Sequence, residues 1–547
     1  MGVWNQIYDP MGNIWLSALV AAIPIIFFIV ALTVFKMKGY VAGILSIVVA
    51  ACVALFFYKM PFVKVIGTGF YGVLAGLWPV ASIVLAAIFL YKLTVKTGKF
   101  DIIKNSIATI TEDQRLQVLL VAFSFGAFLE GAAGFGAPVA ITAVILIGLG
   151  FKPVYAAGLC LVANIAGGSY GAMGIPVTTP ATLTGLSGLD VASRTSYVIP
   201  IISLMIAFLL VYLIDGFKGM RQTWPAILVS GGSFAITQFI VLNTLGAELV
   251  DIISALVSLV VLALFLRVWK PKEIYRLDKE ESAKQTKQAK QAVKKETYSL
   301  GQVAFAWLPF ILLTIMVILF SLKPVKALFA AGGPLNNLVF SFPIKGVHNQ
   351  ILRQPPVVPE ETPYAAVFNL DLFSSTTTAI VIAALLTILI YRIKGSIIKE
   401  AAVETFKELY IPIITICSVL AFAYICNYSG MSSTLGLAFA STGSIFPLFA
   451  PILGWIGVFL TGSVVNSGSL FAPLQAVTAN QIGILPEAMV AANVMGGAMA
   501  KMISPQSVAV AAAAVGLAGK ENELFKFTIK ISVILLVVVG IINWALY

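Results

Sequence analysis

The stretch from Gly126 to Pro138 reads GAFLEGAAGFGAP. It lies inside a long apolar run, yet it holds an acid, Glu130, and three closely spaced glycines, Gly131, Gly134 and Gly136. A plain lipid-spanning helix has no use for either feature, because an ionisable side chain at bilayer depth is costly and glycine weakens a helix interior. Near the other end of the chain, Gly457 to Pro473 reads GVFLTGSVVNSGSLFAP. The frame recurs: Gly-x-Phe-Leu-x-Gly, a few small or polar residues, then Ala-Pro. At this second tip Thr461 stands where Glu130 stands in the first, followed by Ser463, Asn466, Ser467 and Ser469.

The flanks of both stretches are too long for one membrane crossing of about 20 residues and too short for two. Each is read as a re-entrant hairpin, two half-helices meeting at a non-helical tip, over 117–151 and 446–481. Backbone freed from helical hydrogen bonds is tolerated at membrane depth only where protein or a water-filled cavity satisfies it.

Composition agrees with a membrane setting. Of 547 residues, 60% are hydrophobic and 11% charged, against about a quarter charged in soluble domains. Apolar runs are long and continuous rather than alternating, which points to helices and away from a barrel. The net charge of +12 does not imply nucleic acid, because Lys and Arg cluster in loops as the positive-inside rule places them. Cys52, Cys160, Cys417 and Cys426 lack metal-type spacing, and the only histidine, His348, sits in a polar loop. No Walker motif occurs. No metal, cofactor, ATP drive or enzymatic chemistry is expected. The first run, Ile14 to Phe35, is too long for a signal-peptide core.

With the basic loops placed in the cytoplasm, both termini lie outside and about twelve spans accompany the two hairpins. Amphipathic stretches, Pro61 to Phe70 and Ile397 to Leu409, lead into spans at Gly72 and Tyr410. Further apolar spans lie at 194–214, 224–242 and 247–268. Residues 269–300 read as a solvated cytoplasmic linker, with nine basic residues against four acids between Lys270 and Lys295. Residues 323–370 form a polar, Pro-rich outer loop.

The two halves echo each other. Leu77-Trp78-Pro79 matches Tyr410-Ile411-Pro412, and Ala163-Asn164-x-x-Gly167-Gly168 matches Ala492-Asn493-x-x-Gly496-Gly497. Four such motifs recur in one order at a nearly constant offset. Loop charge gives the matched spans opposite directions, so residues 1–214 and 301–547 are read as inverted repeats joined by helices at 215–268. Each repeat also carries a broken helix, 154–185 in the first and 485–515 in the second. Inverted repeats with broken helices near the midplane are a transporter architecture. The fold class expected is an all-α polytopic membrane protein.

Glu130, an acid in a Gly-rich break, is a functional candidate as a proton carrier, a cation ligand or the partner of a base. Lys501, in GGAMAKMISPQS, needs an anion at membrane depth and is a candidate for a substrate carboxylate or for Glu130. Asn164 and Asn493 could hydrogen-bond a hydroxylated ligand or cap broken helices. Ser467, Ser504 and Gln506 offer donors near half-helix N-termini, which suit anions.

GAFLEGAAGFGAPVAI, GWIGVFLTGS, LQAVTANQIG and KMISPQSVAVAAAAVGL make nearly the whole chain resemble the bacterial L-lactate permease family. The resemblance implies a multi-pass protein of the plasma membrane that moves L-lactate or glycolate with protons, within an ion-transporter-like, elevator-type fold. The partners expected are therefore a small organic anion, a proton and membrane lipid, with a homodimer as a candidate assembly. Sodium coupling and a passive anion channel are the alternatives. The family pattern also implies Asp and Thr at the second tip, where this chain has Val464 and Val465.

Overall fold

The computed structural model describes residues 2–134, 136–276, 298–330 and 332–547. The tip residue Phe135 and most of the basic linker expected at 269–300 lie outside them. The described chain is predominantly helical, with 11 helices long and apolar enough to cross a membrane. That number differs from the expected one for local reasons. Ile199–Thr244 counts as a single run although Asp215 (φ −137°, ψ 18°) and Gly216 (φ 58°, ψ −154°) break it into two helices. The shorter helices Ala137–Gly148, Thr376–Tyr391 and Met431–Ala440 fall below the length for a full crossing.

The amphipathic stretches are not separate elements. Residues 395–428 form one helix that carries Pro412 inside it, so the polar first half and the apolar second half run on continuously although the proline lacks the N–H for one hydrogen bond of the ladder. Phe62–Ala75 likewise runs into the next span through a π-type turn, Gly76–Ala81, where Trp78 is extended. The outer loop is also more ordered than its composition suggests. It contains a helix, Lys323–Phe329, and a two-stranded antiparallel ribbon, Phe340–Pro343 with Val367–Leu370. Ile351–Arg353 pairs with the N-terminal strand Trp4–Asn5, which puts the N-terminus and this loop on the same side of the molecule.

Burial sorts the helices into two kinds. Every residue in the apolar windows of Gln114–Ala132 and Pro153–Thr184 is buried in protein, against 28% in Leu300–Ser321 and Glu521–Leu546. The irregular segments therefore sit inside a helical shell, where protein can satisfy their freed backbone. Small residues set the helix spacing. A Cβ on Gly496 would fall 1.8 Å from the Pro451 carbonyl oxygen, and one on Gly454 would fall 2.0 Å from that of Asn493. Helices Phe446–Thr461 and Pro486–Lys501 thus touch backbone to backbone, the contact that small residues permit between membrane helices. A Cβ on Gly72 would likewise fall 2.5 Å from the Ala421 Cα, so this glycine lets Phe62–Ala75 lie close against Gly395–Tyr428.

On the side of the basic loops, a buried Arg115 ties three segments together. Its guanidinium reaches Asp113 at 2.7 Å and Asp215 at 2.8 Å, and donates to the Glu273 carbonyl at 2.9 Å. This fixes the base of Gln114–Ala132 against the Asp215–Gly216 turn.

Gly496→Ala should lower stability by about 2 kcal/mol, the usual cost of overpacking, because the atom it meets is backbone and cannot rotate away. Gly232→Ala should be neutral, since nothing lies within 4 Å of its added Cβ. Thermal unfolding of the two purified variants in detergent, followed by intrinsic fluorescence, checks both.

Candidate functional site

Four broken elements meet at one place. The first helix run ends at Ala132, and Gly134 (φ 58°) and Gly136 (φ 86°) turn the chain before Ala137–Gly148 begins. Pro153–Ala163 and Ile165–Gly168 are followed by a break in which Gly171, Met173 and Gly174 all have positive φ, after which Ile175–Thr184 starts. Phe446–Thr461 ends at Gly462 (φ 71°), and Val464–Gln481 restarts with Ser463 as its N-cap. Pro486–Lys501 stops, and Pro505–Ala514 restarts with Ser504 as its N-cap.

Between these breaks lies a cavity of about 820 Å³. The first residues of all four restarting helices line it: Gly136 at the first, Ile175 and Pro176 at the second, Ser463 to Val465 at the third, Pro505 to Ser507 at the fourth. Helix N-termini carry unsatisfied N–H groups and about half a positive charge each. Four of them around one space make an environment suited to an anion. Val80, Val84, Ile411, Pro412, Thr415 and Ile416 also line it, and the cavity extends to Lys36 and Met37 on the side of the basic loops.

Glu130 and Lys501 form a hydrogen-bonded ion pair on the cavity wall. Glu130 is 1% exposed and Lys501 14%. Each sits in the last turn of its helix. Such a position suits a cation and disfavours an anion, so Glu130 depends on Lys501 for compensation. Its second oxygen, Oε2, is buried without a partner. The glycines nearby make room. A Cβ on Gly167 would lie 3.3 Å from the Glu130 Cβ, and one on Gly168 would lie 3.0 Å from the Lys501 Cδ. Glu130 is also the only acid lining the cavity among the described residues, because Val464 and Val465 stand at the second tip.

The other expected residues divide. Gly136, Thr461, Ser463, Asn466 and Gln506 line the cavity with the ion pair. Ser504 lies just behind it, capping the Ser507 N–H. Ser467 and Asn493 face the interior of the packed helices, where the Ser467 hydroxyl donates to the Gly454 carbonyl at 3.0 Å and to Asn493 Oδ1 at 3.3 Å. Asn164 lies beside Lys501 across Gly168, with its Oδ1 unpartnered. Ser469 bonds its own helix at Val465. Gly131 and Gly134 pack against protein, at Asp251 and Ala172 respectively. Asp251 itself escaped the sequence reading. The signal was present, since it is an acid in an apolar span, but a charge near a span end reads as interfacial until the fold shows it enclosed.

The family described as L-lactate permease matches residues 17–547. The L-lactate permease of Salmonella typhimurium strain LT2 is 53% identical over 543 residues, covering 99% of this chain and 98% of that one. The glycolate permease of Escherichia coli strain K12 is 51% identical over 550 residues, with the same coverage of 99% and 98%. The L-lactate permease of Bacillus subtilis strain 168 is 47% identical over 562 residues, again covering 99% and 98%. Among solved structures, the YdaH transporter of Alcanivorax borkumensis superposes with a TM-score of 0.45 at 15% identity, over 87% of this chain and 86% of that one.

Lys501→Met should strand a buried carboxylate and cost about 3 kcal/mol or more. Adding Glu130→Gln should restore most of that loss, because the cost lies in the unpaired charge rather than in the missing amine. A double-mutant cycle of thermal stability isolates the coupling. Additive losses in that cycle would refute the pairing.

Proposed function

The chain belongs to the L-lactate permease family, a family of membrane permeases and not of enzymes, and on that premise we propose that it imports L-lactate or a related small 2-hydroxy monocarboxylate such as glycolate by proton symport. It is a multi-pass protein of the bacterial plasma membrane. The observation that carries the substrate reading is the convergence of four helix N-termini on one cavity beside Lys501. A carboxylate there gains dipole interactions of about 0.3–1 kcal/mol from each terminus and a direct partner in Lys501. The side chains of Asn466 and Gln506, on the same wall, suit the substrate hydroxyl.

The same pair links substrate to proton. Glu130 and the incoming carboxylate compete for one ammonium group. When the substrate takes Lys501, the Glu130 carboxylate loses its compensating charge in a buried site and accepts a proton. When the substrate leaves, the proton leaves Glu130 and the ion pair re-forms. Coupling then follows from having one cation for two anions. Val464, where the family pattern implies Asp, keeps a second negative charge off this wall.

Each of the two matched Gly-x-Phe-Leu-x-Gly frames runs into a helix break, at Gly462–Ser463 in the second and a few residues past the frame, at Gly134–Gly136, in the first, which supports the reading as inverted repeats that move the site across the membrane by an elevator-type displacement. The cavity lies towards the basic loops, which the positive-inside rule assigns to the cytoplasm. On the far side the elements are tied together. Asn427 donates to Tyr364 at 2.8 Å and to the Leu183 carbonyl at 3.4 Å, bridging Gly395–Tyr428 to Ile175–Thr184 and the outer loop.

Purified protein in proteoliposomes should accumulate labelled L-lactate under an imposed pH gradient, with glycolate as competitor. Glu130→Gln should lose that accumulation by about tenfold or more while still exchanging internal for external lactate. Accumulation driven by a sodium gradient alone would replace the proton with sodium. Equilibration without accumulation would make the protein a passive anion channel.

A further inference from the structure

Behind Glu130, away from the cavity, lies a second carboxyl that the coupling scheme above does not use. Asp251 stands in the first turn of Val250–Val268 and is 2% exposed. A Cβ on Gly131, the residue next to Glu130, would fall 2.8 Å from the Asp251 Cβ. Only glycine lets these two helices come this close. Both carboxyl oxygens of Asp251 are buried without a hydrogen-bond partner.

A structural role does not account for it. An acid in a first helical turn ordinarily serves by accepting a backbone N–H, and Asp251 accepts none. An ionised carboxylate enclosed without a partner costs several kcal/mol. The groups facing it are few. Glu130 comes from Gly126–Ala132, and Lys501 lies beyond it. Tyr170, whose hydroxyl is engaged with Thr195 at 3.0 Å, comes from the break after Ile165–Gly168. The packed helices Leu119–Phe125 and Ser233–Thr244 bring no titratable group. Two acids therefore share one cation, and charge balance calls for one proton between them.

The loop before this helix reaches the far face. Glu248 is half-buried, and burial pushes its carboxyl above the usual range, with Lys326 of the outer loop opposing the shift. A Cβ on Gly174 would meet the Glu248 nitrogen at 2.7 Å, and one on Gly134 would meet the Ala172 Cβ at 3.1 Å. The loop thus packs on the same breaks that shape the site.

We propose that Asp251 is a second proton-carrying residue of this transporter, which stores the coupling proton in the substrate-free state and hands it to Glu130, with Glu248 at the outer end of the route. The inference rests on the proton-symport reading. In the transfer the Asp251 O–H bond breaks and an O–H bond forms on Glu130. Asp251 is left as the carboxylate and is reloaded with a proton from the outer side. The proton thus reaches Glu130 from behind, while the substrate reaches Lys501 from the cavity, and neither blocks the other.

The test compares wild type, Asp251→Asn and Asp251→Glu in proteoliposomes. The expected result is a loss of pH-driven L-lactate accumulation of about tenfold or more in Asp251→Asn, with lactate counterflow changed much less. Asp251→Glu, which restores a proton carrier, should recover accumulation. A wild type that fails to accumulate under a pH gradient sinks the symport reading itself. A wild type that accumulates, alongside an Asp251→Asn variant with an unchanged pH profile, overturns only this proposal. So does equal loss of accumulation and counterflow without rescue by Asp251→Glu. Where the Asn variant does not fold, wild-type protein is treated with a hydrophobic carbodiimide, which reacts with protonated carboxyls. Modification mapped to Asp251 by mass spectrometry, falling as pH rises, supports the proposal, and its absence at every pH refutes it.

Discussion

The Glu130–Lys501 ion pair is the interaction on which the rest of the site depends. It joins the end of a helix in the first half of the chain to the end of a helix 371 residues later. Both helices end at the pair, so the negative ends of two helix dipoles lie beside it. Lys501 is favourable there, Glu130 is not, and neither is stable at this depth without the other. Glycines accommodate the arrangement. Gly167 and Gly168 clear the volume taken by the Glu130 stem and the Lys501 chain. A side chain at either position would push apart the elements that carry the charges.

Broken helices cost hydrogen bonds, and the structure recovers them locally. Ser463 and Ser504 cap the restarting helices through Asn466 and Ser507. Pro138, Pro176 and Pro505 occupy first-turn positions, where a missing N–H is harmless and the fixed φ suits a helix start. The first residues of the restarting helices line the cavity, where the N–H groups of a helix start are free of intrahelical partners. The donors that the breaks expose are thus the ones an anion would use, and the same glycine-rich interruptions that weaken the helices create the binding environment. The surrounding shell supplies rigidity. Lys92 and Lys96 bind Glu408 and Glu404 at 2.6 and 2.7 Å, locking two shell helices together at the edge of the basic side.

Much of this could be read from the chain. GAFLEGAAGFGAP and GVFLTGSVVNSGSLFAP announced two interrupted helices, because an acid and clustered glycines have no place in an ordinary span. Asn164-x-x-Gly-Gly and Asn493-x-x-Gly-Gly marked equivalent positions, yet the sequence was silent on what each glycine does. Gly167 and Gly168 make room for the ion pair, whereas Gly496 lets two helix backbones touch. Identical local pattern, different partner: that difference is a property of the packing. The polar residues show the same limit. Asn466 and Gln506 line the cavity, while Ser467 and Asn493, equally polar, turn inward, where the Ser467 hydroxyl donates to Asn493 Oδ1.

The sequence by itself determined the membrane setting, the helical class, the places where helices break and the candidacy of Glu130 and Lys501. Those conclusions follow from hydropathy, charge and backbone preference, all of which act along the chain. The tertiary structure alone decided that Glu130 and Lys501 meet, that four helix N-termini share one cavity, and that Asp251 sits enclosed behind Glu130. These depend on how close distant backbones come, and no local pattern encodes that distance. The opening stretch therefore names the site, and the fold supplies its partners.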